Sequence, residues 1–162
     1  MYFFDFKKLL KKASEVQSFM MVSTKGRYAL RVMIDLAEHG SGDYIPLKDI
    51  ADRQGISEKY LENIISSLVK VGFVSGLRGK GGGYRLTKPS EQYTAGDILR
   101  VTEKTLAPVA CLNHGASPCE RAAECKTLPM WQQLDAIVNQ YLDSVTLWQL
   151  SQNGKDASDY VI

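Results

Sequence analysis

The chain has 162 residues, of which 44% are hydrophobic and 23% charged, with a formal net charge of +2. This is the make-up of an ordinary globular domain, and no run approaches the roughly 18 apolar residues that a membrane-spanning helix needs. A charge this small assigns no partner, so its distribution along the chain must carry that argument.

Residues 1–20, MYFFDFKKLLKKASEVQSFM, place Phe3, Phe6 and Leu10 on one face of a short basic amphipathic segment. Lys7, Lys8, Lys11 and Lys12 interrupt any apolar core of an export signal, and no small-residue cleavage site follows. The segment reads as a weakly ordered extension, with Met20-Met21 resembling a second start. A cytoplasmic location is expected, and thiols stay reduced there.

The patterned sequence begins at residue 21. STKGRYALRVMIDLAEHG opens on Ser/Thr and closes on Gly, which predicts a helix over 24–39. Tyr28, Leu30, Ile34 and Ala37, with Val32 and Leu36, form its apolar face. Pro46 opens a short helix with Leu47, Ile50 and Ala51 on one side, and Gly55 ends it. Ser57 is the expected N-cap of EKYLENIISSLVKVG, whose buried stripe is Leu61, Ile64, Ile65, Leu68 and Val69. Two short helices joined at a glycine turn match the helix-turn-helix pattern.

FVSGLRGKGGGYRLTK then predicts two short strands around a glycine-rich loop. No acidic residue stands between Glu62 and Glu91, while Lys70, Arg78, Lys80, Arg85 and Lys88 all do. A basic hairpin after a helix-turn-helix reads as a wing, whose glycines let backbone approach phosphates and whose cations neutralise them. A nucleotide-binding P-loop is excluded by context, because Lys80 is followed by Gly81 and strand sequence instead of Ser/Thr and a helix. His39 and His114 lack evident partners for nucleophilic catalysis, so no enzyme is expected.

TAGDILRVTE, capped by Thr94, reads as a linker helix. TLPMWQQLDAIVNQYLDSVTL reads as one long helix over 127–150, capped by Thr127, with Pro129 in its first turn. Its Trp131, Leu134, Val138, Tyr141 and Val145 fall at steps of three and four, an a/d seam. An antiparallel or crossed homodimer is the expected use of that seam. A two-fold dimer suits pseudo-palindromic double-stranded DNA. The organisation is thus an extension (1–20), a winged helix-turn-helix domain with its linker helix (21–104), a cysteine loop (105–126), a dimerisation helix (127–150) and a polar tail (151–162). The fold class is mainly α with a small β wing.

Cys111, Cys119 and Cys125 are the only cysteines, spaced C-x7-C-x5-C between the linker and dimer helices. Structural zinc favours closer pairs, although His114 could add a ligand. A disulfide would leave one thiol over. Thiol redox chemistry and three inert thiols are further readings. An iron–sulfur cluster uses thiolates at looser spacing and accepts a non-cysteine ligand.

STKGRYAL, LKDIADRQGISEKYLENIISSLVKVGFV, RGKGGGYRL, TAGDILRVTE and the cysteine loop before LPMW together make residues 21–150 resemble the Rrf-two family of bacterial winged-helix regulators, in its iron–sulfur branch. The resemblance implies a homodimeric transcription factor whose DNA affinity or site choice responds to an iron–sulfur cluster on Cys111, Cys119 and Cys125. It implies that Ser57, Lys59, Glu62 and Asn63 read the major groove and that Arg78 enters the minor groove. Their chemistry suits this: Glu62 accepts from cytosine N4, Asn63 pairs with adenine, and Lys59 reaches guanine or phosphate. Arg27 and Tyr28 are expected phosphate contacts beside the wing's Lys80, while Tyr84 is expected to pack under the wing. The family often places a histidine three residues past the third cysteine, and Leu128 stands there. The fourth ligand is therefore open among His114, Glu120, Glu124, a partner-chain residue and a small thiol, with a carboxylate or exogenous ligand preferred to His114. Cluster nuclearity, two-iron or four-iron, stays open with it, as does the signal: iron supply, oxygen, redox state or nitric oxide. The alternative expectation keeps the DNA-binding fold and replaces the cluster by a protein partner or thiol oxidation.

Overall fold

Ser23 sits in extended backbone and its hydroxyl accepts the Gly26 N–H at 3.1 Å, which starts helix α1, Thr24–His39. The computed structural model describes residues 22–117 and 119–153. The extension read at 1–20 and the tail beyond 153 lie outside the described residues. Ala29, Val32, Met33 and Leu36 are the fully buried stripe of α1. Tyr28, Leu30, Ile34 and Ala37, expected on the buried face, are only partly buried and flank that stripe.

Helix α2, Leu47–Gln54, follows Pro46 and ends at Gly55, whose φ of 63° is the left-handed turn that releases the chain toward the next helix. Helix α3, Glu58–Lys70, is capped by Ser57 and buries Leu61, Ile64, Ile65 and Leu68. Val69, expected in that stripe, is 40% exposed instead. Strands β1, Val74–Leu77, and β2, Gly83–Leu86, pair antiparallel with Val74 opposite Leu86. Ile45 adds a bridge to Tyr84, which ties this wing to the chain before α2. Tyr93 fixes the wing's base. Its buried hydroxyl donates to Phe73 O at 3.0 Å and accepts the N–H groups of Thr87 and Lys88 at 3.1 and 2.9 Å.

Helix α4, Ala95–Thr102, opens with a reciprocal Thr94–Asp97 capping box and packs on α1 and α3. The cysteine segment follows, then helix α5, Leu128–Ser144. The apolar pattern predicts one helix over 127–150, but the chain leaves it at Val145. Thr146 and Gln149 form a fresh capping box that starts α6, Leu147–Gln152. Val145 O accepts Ala95 N–H at 2.8 Å and Leu147 N–H donates to Tyr93 O at 2.9 Å, so the break turns α6 back onto α1 and buries Leu147. Ser151 is buried within α6, so the segment read as a polar tail starts inside a packed helix. The result is a mainly α winged helix with a two-stranded antiparallel wing.

Among the described residues, one charge lies inside the core. Asp35 of α1 has no exposed surface. Arg53 donates to both its carboxylate oxygens, at 2.7 and 3.0 Å, and Gln54 adds a bond at 2.8 Å. Removing one partner of a buried pair leaves an uncompensated charge. Arg53→Ala is therefore expected to lower unfolding stability by about 3 kcal/mol, read from denaturant melts. A loss below about 0.5 kcal/mol, the size of an ordinary surface change, would show that Asp35 does not need its partner.

Candidate nucleic-acid interface and cysteine segment

The exposed side of α3 carries polar residues at helical spacing, so they share one face. Lys59, Glu62 and Asn63 are all exposed there, and Ser57 is exposed at its cap. The wing stands beside this face and leaves a groove of about 660 Å³. Glu62 and Ser66 of α3, Leu77 and Arg78 of the wing, and Lys48 of α2 line it together. The structure thus brings Glu62 and Arg78 into one concave surface. Lys80 is exposed on the turn between β1 and β2. Lys48 was not singled out by sequence; its signal was its place in the first turn of a helix opened by Pro46.

Two basic wing residues do different jobs. Arg78 is exposed at the groove, whereas Arg85 stacks on Tyr44 at 4.6 Å and donates to Gly42 O at 3.1 Å. Arg27 is exposed in the first turn of α1, where it donates to Thr24 Oγ1 at 3.2 Å. Tyr28 is half-buried, edge-on to Tyr60 of α3 at 5.9 Å and beneath the Arg31 guanidinium. Tyr84 is partly buried against the core beneath the wing.

The cysteine segment has little core of its own. Cys111 lies in the 3-10 turn Ala110–Leu112 and is exposed, and Cys119 is exposed as well. Cys125 follows the turn Ala122–Glu124 and is half-buried. All three are free thiols. Thr127, expected to cap α5, makes no side-chain cap bond; its hydroxyl lies 3.5 Å from Cys125 Sγ. Hydrogen bonding from Thr127, side chain first and then backbone, holds the Cys125 thiol below its ordinary pKa. Glu120, Glu124 and His114 are exposed. His114 also lines a cavity of about 310 Å³ with Arg100, Lys104, Asp135 and Asn139. Among the described residues, no three His, Cys, Asp or Glu side chains are gathered into a metal site. As a donor set, three accessible thiolates on one short segment fit a soft metal or an iron–sulfur cluster.

The two helices that flank the segment are tied to each other. Arg100 of α4 donates to the two oxygens of Asp143 of α5, at 2.6 and 3.0 Å, and to Asn139 at 2.8 Å. Gly96 allows the close approach, because a Cβ there would strike the Asp143 carboxylate. Helix α5 itself buries no residue fully, and Met130, Ile137 and Tyr141 are exposed. No helix among the described residues is long and apolar enough to cross a membrane.

A family model described as Rrf2, iron-dependent transcriptional regulator, matches residues 22–153. The chain belongs to the Rrf2 family. It is 35% identical over 136 residues to the HTH-type transcriptional regulator IscR of Vibrio atlanticus (strain LGP32), covering 84% of this chain and 78% of that protein. The solved structure of T. potens IscR matches with a TM-score of 0.67 and 35% identity, over 88% of this chain and 93% of that one. That of CymR, named the global cysteine regulator of B. subtilis, matches with a TM-score of 0.67 and 38% identity, over 82% and 97%. This chain is a DNA-binding transcriptional regulator of the IscR/Rrf2 type, and its relatives are named as regulators, not enzymes.

The lowered thiol has a direct test. In metal-free, reduced protein, the rate of Cys125 alkylation by iodoacetamide is expected to rise with pH around an inflection below that of an ordinary thiol, because the thiolate is the nucleophile. Thr127→Val should move that inflection upward. Peptide-resolved mass spectrometry reads both, and an unshifted Thr127→Val profile would remove Thr127 as the cause.

Proposed function

We propose that this Rrf2-family regulator acts as a cytoplasmic homodimer on pseudo-palindromic double-stranded DNA, under the control of an iron–sulfur cluster on Cys111, Cys119 and Cys125. The observation that carries the reading is the placement of three accessible thiols on one segment between α4 and α5. Such a segment feels a bound cluster, and its covalent continuity with α4 and α5 passes the change to both flanking helices.

Ser57, Lys59, Glu62 and Asn63 present donors and acceptors from one end and face of α3, suited to base edges in a major groove. Arg78 reaches from the wing toward the minor groove, and Lys80, Lys48, Arg27 and Tyr28 meet phosphates. The open apolar side of α5, with Ile137 and Tyr141, takes the same helix of a second copy. An exposed stripe of that kind on a helix with no buried residue marks an interface.

Cluster binding would reorganise the segment, because its donors are not gathered beforehand. Asn113, two residues from Cys111, supports this. Its side-chain oxygen is buried with no hydrogen-bond partner, a state buried oxygens rarely keep. The fourth position is open to Glu120, Glu124, His114, a partner-chain residue or a small thiol, with a carboxylate or exogenous ligand preferred to His114. Cluster nuclearity follows that ligand. Iron supply, oxygen, redox state and nitric oxide are the signals a cluster with an incomplete protein ligand set would report.

A second reading has its own support. The lowered Cys125 thiol and the likeness to the B. subtilis cysteine regulator favour direct thiol oxidation as the input. Purification without oxygen separates the two. Equal iron and acid-labile sulfide with visible absorption, lost together in the triple Cys→Ser variant, are expected. Colourless, metal-free protein whose DNA binding still changes on oxidation would replace the cluster by thiol chemistry.

Two further outcomes follow from the interface. Arg78→Ala should weaken DNA binding and make the log K against log salt slope shallower by about one; an unchanged slope would place the wing off the backbone. Ile137→Glu should convert dimer to monomer in sedimentation velocity, and a variant that stays dimeric would move the interface off α5.

A further inference from the structure

Gly26 stands in the first turn of α1 in helical backbone, where glycine has no conformational role and weakens the helix. The reason for it is space. A Cβ on Gly26 would overlap the Glu103 carboxylate. Glu103 Oε1 accepts both the backbone N–H and the hydroxyl of Ser23, at 3.1 and 2.8 Å, and Ser23 in turn caps α1 through Gly26 N–H. Glu103 comes from the other end of the domain. It is the C-cap of α4, its N–H donates to Leu99 O at 2.8 Å, and the cysteine segment starts two residues later.

The turn it holds also touches the DNA-reading helix. Lys25 Nζ donates to Ser67 Oγ of α3 at 3.1 Å, and Ser67 donates on to Asn63 O at 3.2 Å. Tyr28 meets Tyr60 of α3 edge-on. Arg27 projects from the same turn into solvent.

The geometry points to Glu103 as a positioning residue of the DNA interface: its carboxylate, seated on Ser23 and Gly26, sets the first turn of α1 so that Arg27 meets the phosphate backbone. The inference rests on the reading above that this turn lies against DNA. It also gives the cysteine segment a short mechanical route to the interface, because the residue that holds the turn stands where that segment begins.

The test uses the full-length protein and a duplex selected by it from a random pool, with affinity measured across a salt series. Glu103→Ala is expected to weaken binding about tenfold and to make the salt slope shallower by about one, the signature of one lost phosphate contact. Glu103→Gln keeps the accepting oxygen for Ser23 and should restore most of the slope. Gly26→Ala should reproduce the Glu103→Ala slope with Glu103 still present, although alanine is the better helix former. A general loss of folded protein lowers the active fraction and leaves the slope alone, so the slope separates positioning from instability. Arg27→Ala distinguishes the two levels. If it leaves the slope unchanged, α1 does not touch DNA and the underlying reading fails, taking this one with it. If Arg27→Ala flattens the slope while Glu103→Ala and Gly26→Ala do not, Glu103 has no positioning role.

Discussion

Asp35 is a carboxylate held with no exposed surface in the middle of α1, and its partners fix the end of α2, from which the chain turns toward α3, the helix proposed to read DNA. Its partners, Arg53 and Gln54, are the last residues of α2 before the left-handed turn at Gly55. Arg31, one turn back on α1, donates to the Gln54 side chain and backbone oxygen. The end of α2 is thereby fixed on α1 at the point where the chain turns toward α3. A buried charge without its partner is expensive, so separating α2 from α1 at this corner costs stability.

The junction that leads to the cysteine segment is built differently. Arg100 and Asp143 also form a two-pronged ion pair, but their side chains are 40% and 48% exposed. Exposed pairs usually contribute less than about 1 kcal/mol, and the bidentate geometry here is the arrangement that gains most. Burial sorts the molecule into a core-locked winged helix, the proposed reading head, and a solvent-facing junction between α4 and α5. Tyr93 lies at the border between them, with its hydroxyl in the wing and its carbonyl accepting from Leu147 of α6. A change in the cysteine segment would therefore act on this junction and, through Glu103, on the first turn of α1. In the proposed homodimer, such a change would alter how the two reading heads sit relative to each other.

The sequence made the reading head legible because its signals are local. Ser23, Ser57 and Thr94 cap their helices as their residue types require, and the wing follows from glycines and a basic run. The long-range features left no such mark. Asp35 looks like one more surface acid within the helix, and only the fold brings Arg53 to it. Glu103 and Gly26 lie far apart along the chain, and a glycine that serves space cannot be told from one that serves conformation. The break at Val145 was hidden because Trp131, Leu134, Val138, Tyr141 and Val145 keep helical spacing across it, while a backbone bond from Ala95 decides where the helix stops. Thr127 reads as a cap by residue type, yet its hydroxyl is turned to Cys125.

The central claim is that the state of the cysteine segment controls how the reading heads meet DNA. It is tested most directly by measuring, at one fixed salt concentration, the affinity of the same selected duplex for cluster-loaded protein and for protein freed of its cluster under anaerobic conditions. The account predicts at least a tenfold difference in affinity, or a change in preferred site when the selection is repeated with each form. Identical affinities and identical selected sites for the two forms would contradict it.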